Sequence, residues 1–163
     1  MRIEIRGHPA LPDLLAAEPG LWDLLLIRSP GGVEPPGGVL SPARRTLRLC
    51  FDDCDAALPG VVPPTADDVR RALEWSAGSE RVVVSCYMGR SRSAALAYVI
   101  RCRDEQPQEA LRILAPDWHR PNPLIVRLGS EFLGNPAVHI AWSEWLDRHP
   151  GKRNREANEP TGR

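Results

Sequence analysis

Net charge is what this chain most plainly lacks, because 21 Lys and Arg residues are balanced by 21 Asp and Glu. Such a surface offers no broad field to nucleic acid or to an anionic membrane, so neither is expected as a partner. Lysine is close to absent: Lys152 is the only one, and the reliance on arginine that results excludes nothing by itself. Long apolar runs are missing as well, and none approaches the roughly 20 residues that a bilayer span requires. The opening MRIEIRGHPA carries acidic and polar residues where a signal peptide would have its apolar core. A cytoplasmic location is the expectation. Cysteine is scarce, with four residues at 50, 54, 86 and 102. A disulfide framework is not expected in a cytosolic domain of this size. Cys50 and Cys54 have no second Cys/His pair at zinc spacing, so neither a metal nor a cofactor is expected. Cys50 and Cys102 lie in apolar stretches and read as small buried hydrophobes.

What is present is enough apolar residue, 42% of 163, to build one core. Four short apolar runs read as strands, at 2–5, 23–27, 46–51 and 81–85. The last, RVVVS, is β-branched without alternation, as expected of a strand covered on both faces. Helical patterns fill the gaps. TADDVRRALEWSAG starts at Thr65, a natural N-cap followed by acids, and stops at Gly78. Further helices are predicted at 93–103, 107–114, 124–133 and 138–148. This order predicts a single α/β domain over 1–149, with a mostly parallel sheet of about four strands flanked by helices. Residues 29–45, SPGGVEPPGGVLSPARR, are predicted as a long loop, and loops of that length in compact domains are often functional. The polar stretch 150–163 is expected to be a disordered tail. Nothing in the sequence fixes an oligomeric state.

The stretch 82–100, VVVSCYMGRSRSAALAYVI, carries the chemistry. It runs strand, loop, helix, with Gly89 at the turn. A loop of this kind aims backbone N–H groups inward, and the helix that follows adds the partial positive charge of its N-terminus, which makes a site for an oxyanion such as phosphate. The same field favours ionisation of the Cys86 thiol at the entrance to the cradle. Arg92, six residues on, has the planar fork that grips two phosphoryl oxygens, and Ser93 puts a hydroxyl within reach of the sulfur. The acidic run FDDCD supplies Asp52, Asp53 and Asp55. If strands 46–51 and 81–85 are parallel neighbours, the loops after both lie at one edge of the sheet, where sites of open α/β folds form. Arg90 reads either as a solvated loop cation or as a second anion contact at the rim. Trp118 and His119 in APDWHRPN read either as residues of that rim or, for the Trp, as a packing anchor. His8, His139 and His149 show no ligand spacing.

CYMGRSRS resembles the signature loop of the cysteine-dependent protein tyrosine phosphatases, C-x5-R followed by Ser or Thr. Its G-x-S-R-S ending is nearest the compact dual-specificity branch and its short bacterial relatives. The likeness extends over about residues 46–133, through the acid-bearing loop before the cysteine and through RPNPLIVRLGSEFLG, which is similar to a late Pro-Asn helix of that family. The resemblance implies a phosphate-monoester hydrolase, phosphotyrosine first and dual specificity next, acting on a phosphorylated protein or small molecule. It implies Cys86 as nucleophile, with phosphate held by Arg92 and by the backbone of Tyr87, Met88, Gly89, Arg90 and Ser91. Ser93 would help the thiolate to leave, and no metal would take part. The family's spacing favours Asp53 as the general acid, with Asp52 and Asp55 as alternates. Ser85 stands where that family usually has a His, and a hydroxyl cannot carry charge, which predicts a slower enzyme. Two rival readings are a catalytically weak module that captures phosphorylated partners and a rhodanese-like sulfurtransferase.

Overall fold

The computed structural model describes residues 1–150. Four parallel strands form one sheet: β1 (Arg2–Gly7), β2 (Asp23–Arg28), β3 (Arg45–Cys50) and β4 (Arg81–Cys86), in the order β1-β4-β2-β3. The α/β architecture is the expected one, and every pairing is parallel. One detail of the expected neighbourhood is corrected. The third and fourth strands are not adjacent, because β2 lies between them and pairs with both. Parallel pairing still brings all four carboxyl ends to one edge: Gly7 is level with Cys86, and Arg28 with Cys50.

Among the described residues, seven helices cover the two faces. α1 (Leu11–Ala17) and α2 (Gly37–Leu40) sit over a small core of Leu11, Leu15, Trp22, Leu24, Leu26, Leu40 and Val83. The larger core lies on the other face, beneath α3 (Ala66–Trp75), α4 (Arg92–Cys102), α5 (Pro107–Ala110), α6 (Pro123–Phe132) and α7 (Ala137–Arg148). Alternate residues of β4 feed opposite cores, so Val82, Val83 and Val84 are all fully buried. Burying side chains of this size stabilises the fold by roughly 1.5–3 kcal/mol each. α4 is apolar all round and buried along nearly its whole length, as befits a helix enclosed between sheet and outer helices. Gly129 of α6 permits the closest approach to it, since a Cβ there would come 2.4 Å from a Val99 methyl.

Local chemistry explains the boundaries. Thr65 and Asp68 form a reciprocal capping box at the start of α3, and Asn122 accepts from the Ile125 amide to cap α6, with Pro123 following. Four expectations are corrected. Leu11–Ala17 is a helix the sequence reading missed, because a Pro inside the first turn masks a two-turn pattern. The 29–45 loop contains the single turn α2. The helix expected over 107–114 divides into one α-turn and a 3₁₀ turn at Leu111–Ile113. Cys50 is exposed, not buried, since β3 is an edge strand and its last side chain faces outward. Cys102 is buried as expected. The tail expected beyond Pro150 lies outside the described residues.

Candidate active site

The loop between β4 and α4 is held from two sides. Gly89 turns it with φ +66°, a conformation only glycine adopts cheaply. A Cβ at that position would come 2.4 Å from the Gly7 nitrogen and 2.6 Å from the Arg6 carbonyl carbon, so the end of β1 supports the loop backbone directly. His8 continues that support, its amide donating to the Tyr87 carbonyl at 3.1 Å. From the opposite side, the Arg120 amide donates to the Arg90 carbonyl at 2.9 Å. His119 is buried; its Nδ1 accepts from the Ala115 amide at 2.8 Å, which leaves Nε2–H for the Gly89 backbone. Burial holds this imidazole below its ordinary range despite the Gly89 bond. Within the loop only the Gly89 amide closes onto the chain, at the Cys86 carbonyl. Among the described residues, the amides of Tyr87, Met88, Arg90 and Ser91 have no acceptor. Four unpaired donors in one turn are what an anion cradle requires.

Cys86 lies at the foot of this loop, not at its entrance: it is 2% exposed, and its Sγ is 3.1 Å from the Ser93 hydroxyl. The other cysteines are poor nucleophiles or distant. Burial pushes the Cys102 thiol up to about 12. Burial, then the carboxylates of Asp52, Asp55 and Asp53, also push Cys54 up.

Arg92 is 6% exposed, and its Nη1 donates both to the Phe51 carbonyl (2.8 Å) and to Ser29 Oγ (3.0 Å). One corner of the guanidinium is thus fixed by the ends of β2 and β3. Its buried Nε has no partner, and neither does Nη2 among the described residues. That leaves the Nε–Nη2 edge, the geometry that takes two oxygens of a phosphate, held in place and without a protein partner.

The three acids separate cleanly. Asp53 Oδ1 accepts from Ser91 Oγ (2.8 Å) and Asn122 Nδ2 (2.9 Å), which ties it to the loop, while its Oδ2 has no partner among the described residues. Asp52 instead closes a turn with Val62, donating its amide to the Val62 carbonyl (2.7 Å) and accepting the Val62 amide on Oδ2 (2.9 Å). Asp55 lies farther along, in a cavity lined by Pro123, Leu124, Arg127 and His139. Arg90 is exposed and stands over the Trp118 ring, 5.5 Å from its centroid.

Sequence reasoning overlooked several residues here. Asn122 is 3% exposed, bonds Asp53 and the Cys54 carbonyl, and caps α6 at the same time; the Pro-Asn pair was its only visible signal. Ser29 carried no signal beyond its place in a long Pro/Gly loop. His8, set aside for want of spacing, borders the site, with Nε2 3.2 Å from the Ile27 carbonyl. Burial and the nearby Arg92 charge hold it below the ordinary imidazole range. Ser85 is fully buried and its hydroxyl has no partner.

Comparison with solved structures settles the architecture. PTPMT1, solved in complex with PI(5)P, aligns with a TM-score of 0.53 at 15% identity, covering 90% of this chain and 94% of its own. Human DUSP28 aligns with a TM-score of 0.53 at 22% identity, covering 81% and 91%. The fold is that of the cysteine-based tyrosine and dual-specificity phosphatases. No family model and no curated protein matches the chain in sequence. At these identities the likeness speaks for the fold, and the chemistry has to be argued from the side chains.

Proposed function

We propose that this protein hydrolyses phosphate monoesters, phosphotyrosine foremost, through a phosphocysteine intermediate. The observation that carries the reading is the half-satisfied Arg92: a buried guanidinium anchored at Nη1 and unpartnered along Nε–Nη2, beside four loop amides without acceptors. Burying a cation in this state is costly unless an anion completes it. A phosphoryl group supplies three oxygens for those donors.

In the first step the Cys86 thiolate attacks phosphorus, forming an S–P bond as the P–O bond to the leaving group breaks. The departing oxygen takes a proton from the Asp53 carboxyl, with Oδ2 as the free oxygen and Oδ1 held by Ser91 and Asn122. In the second step the Asp53 carboxylate removes a proton from water, the water oxygen attacks phosphorus, and the S–P bond breaks. The Ser93 hydroxyl, 3.1 Å from the sulfur, donates to the thiolate that leaves. Throughout, the loop amides and the Arg92 fork stabilise charge on the equatorial oxygens, usually the largest single contribution to such a rate.

Hydrolysis of p-nitrophenyl phosphate by the wild type and by Cys86→Ser is the test. Turnover should fall by about four orders of magnitude or more in the variant, as for other nucleophile deletions. Activity that survives Cys86→Ser would remove the mechanism. Vanadate binding without any turnover would identify a phosphate-capturing module instead. Transfer of sulfur from thiosulfate to cyanide would favour the rhodanese-like alternative.

A further inference from the structure

Two cavities meet beside the Cys86 loop. The polar one, about 260 Å³, is lined by Arg28, Ser29, Gly32 and Arg92, together with His8, Val33 and Tyr87. The apolar one, about 280 Å³, shares those last three residues and continues between Pro9 and Pro12 on one side and Pro35, Pro36 and Val39 on the other. The 29–45 loop therefore builds one wall of a trough whose two parts adjoin at His8, Val33 and Tyr87, with Arg92 lining the polar part. Its apolar surface is left open: Val33 is 86% exposed and Tyr87 62%. Large apolar side chains arrayed around a concavity mark a binding surface.

On the phosphatase reading, we infer that this proline-lined trough holds a large apolar side chain of a phosphopeptide, one or two residues from the phosphorylated one. Continuity supplies the spacing. A phosphate at Arg92 puts neighbouring residues of an extended chain at about 3.5 Å per residue, so the adjoining cavity falls within one or two positions. Size is compatible with such an occupant, since about 280 Å³ leaves room for a side chain as large as Leu or Phe. Rigidity favours selectivity. Pro35 and Pro36 fix the wall, and Glu34 anchors it through Arg48 at 2.6 Å, so little entropy is lost on filling it.

The test compares kcat/KM of the full-length protein on matched phosphotyrosine peptides that carry Leu, Phe, Ser or Asp one or two residues to either side. p-Nitrophenyl phosphate serves as the reference substrate. Leu and Phe should be preferred over Ser and Asp by about 10-fold at one of those positions, chiefly in KM. Val39→Asp should abolish that preference, lowering the ratio of peptide to p-nitrophenyl phosphate efficiency. Pro12→Ser offers an independent second variant on the facing wall. A wild type that turns over p-nitrophenyl phosphate without discriminating among the peptides overturns the inference alone, as does a preference that both variants retain. Better turnover of PI(5)P in vesicles than of every peptide overturns it in favour of a lipid. Failure on all phosphate esters sinks it together with the phosphatase reading.

Discussion

At the amino edge of the sheet, Asp23 is completely buried and fully partnered. Arg44 reaches it through Nε (2.7 Å) and Nη2 (2.5 Å), Arg45 through Nη2 (3.0 Å) and Ser79 through its hydroxyl (2.7 Å). At the carboxyl edge, Arg92 is almost as deeply buried, yet only Nη1 is occupied and the loop amides beside it have no acceptors. Both edges hold a charge in a place where charge is expensive. One cancels it within the chain, and the other waits for a partner from outside. A saturated buried charge contributes stability, whereas an unsaturated one, fixed by neighbours, is poised for binding.

Several substitutions can break that contrast or sharpen it. The largest effect is expected at Arg92. Arg92→Lys keeps the charge but loses the fork, and kcat/KM on p-nitrophenyl phosphate should fall about 10³-fold with far-ultraviolet circular dichroism unchanged. Near-normal kinetics in that variant would put Arg92 in the same structural class as Asp23. Next in size is Asp53→Ala, which should lower kcat by about 10²-fold near neutral pH, while Asp52→Ala and Asp55→Ala remain within about threefold of wild type. A reversal of that order would move the acid and leave the cradle untouched.

The smallest effect on turnover, and the clearest on stability, belongs to Asp23. Burial alone would raise this carboxyl, but the hydrogen bonds from Arg44, Arg45 and Ser79 outweigh it and hold it at about 2, against 3.8 for the free side chain. The folded value is the lower one, so the stabilisation is complete above the unfolded value of 3.8. It is lost as pH falls towards about 2. Urea titrations should show a wild-type loss of about 2 kcal/mol across that interval. Asp23→Asn should unfold more easily at neutral pH and show a flatter acid limb, with kcat on p-nitrophenyl phosphate unchanged. Equal acid sensitivity in the two proteins would dismiss the Asp23 cluster as a stabilising device.

The parts legible in sequence are those written by neighbours in the chain. Three consecutive valines marked β4 as a buried strand, Thr65 and Asp68 marked the start of α3, and Cys86, Gly89 and Arg92 marked a loop built for an oxyanion. Periodicity and capping act over three or four residues, so a local pattern suffices to specify them. The residues missed owe their roles to distant contacts. Asn122 meets Asp53 across 69 positions, Arg92 meets Ser29 across 63, and Gly7 abuts Gly89 from another strand. No window along the chain contains both partners of any such pair.

By itself, then, the sequence determined a strand–loop–helix with a thiol, a turn glycine and an arginine in fixed order, because these follow from backbone preferences within a dozen residues. Tertiary structure alone decided which donors hold Asp53, how deeply the thiol lies, and which edge of Arg92 lacks a protein partner. Those choices depend on strand order and on which helix packs beside which loop. They are settled only when elements far apart in the chain compete for the same few donors and acceptors.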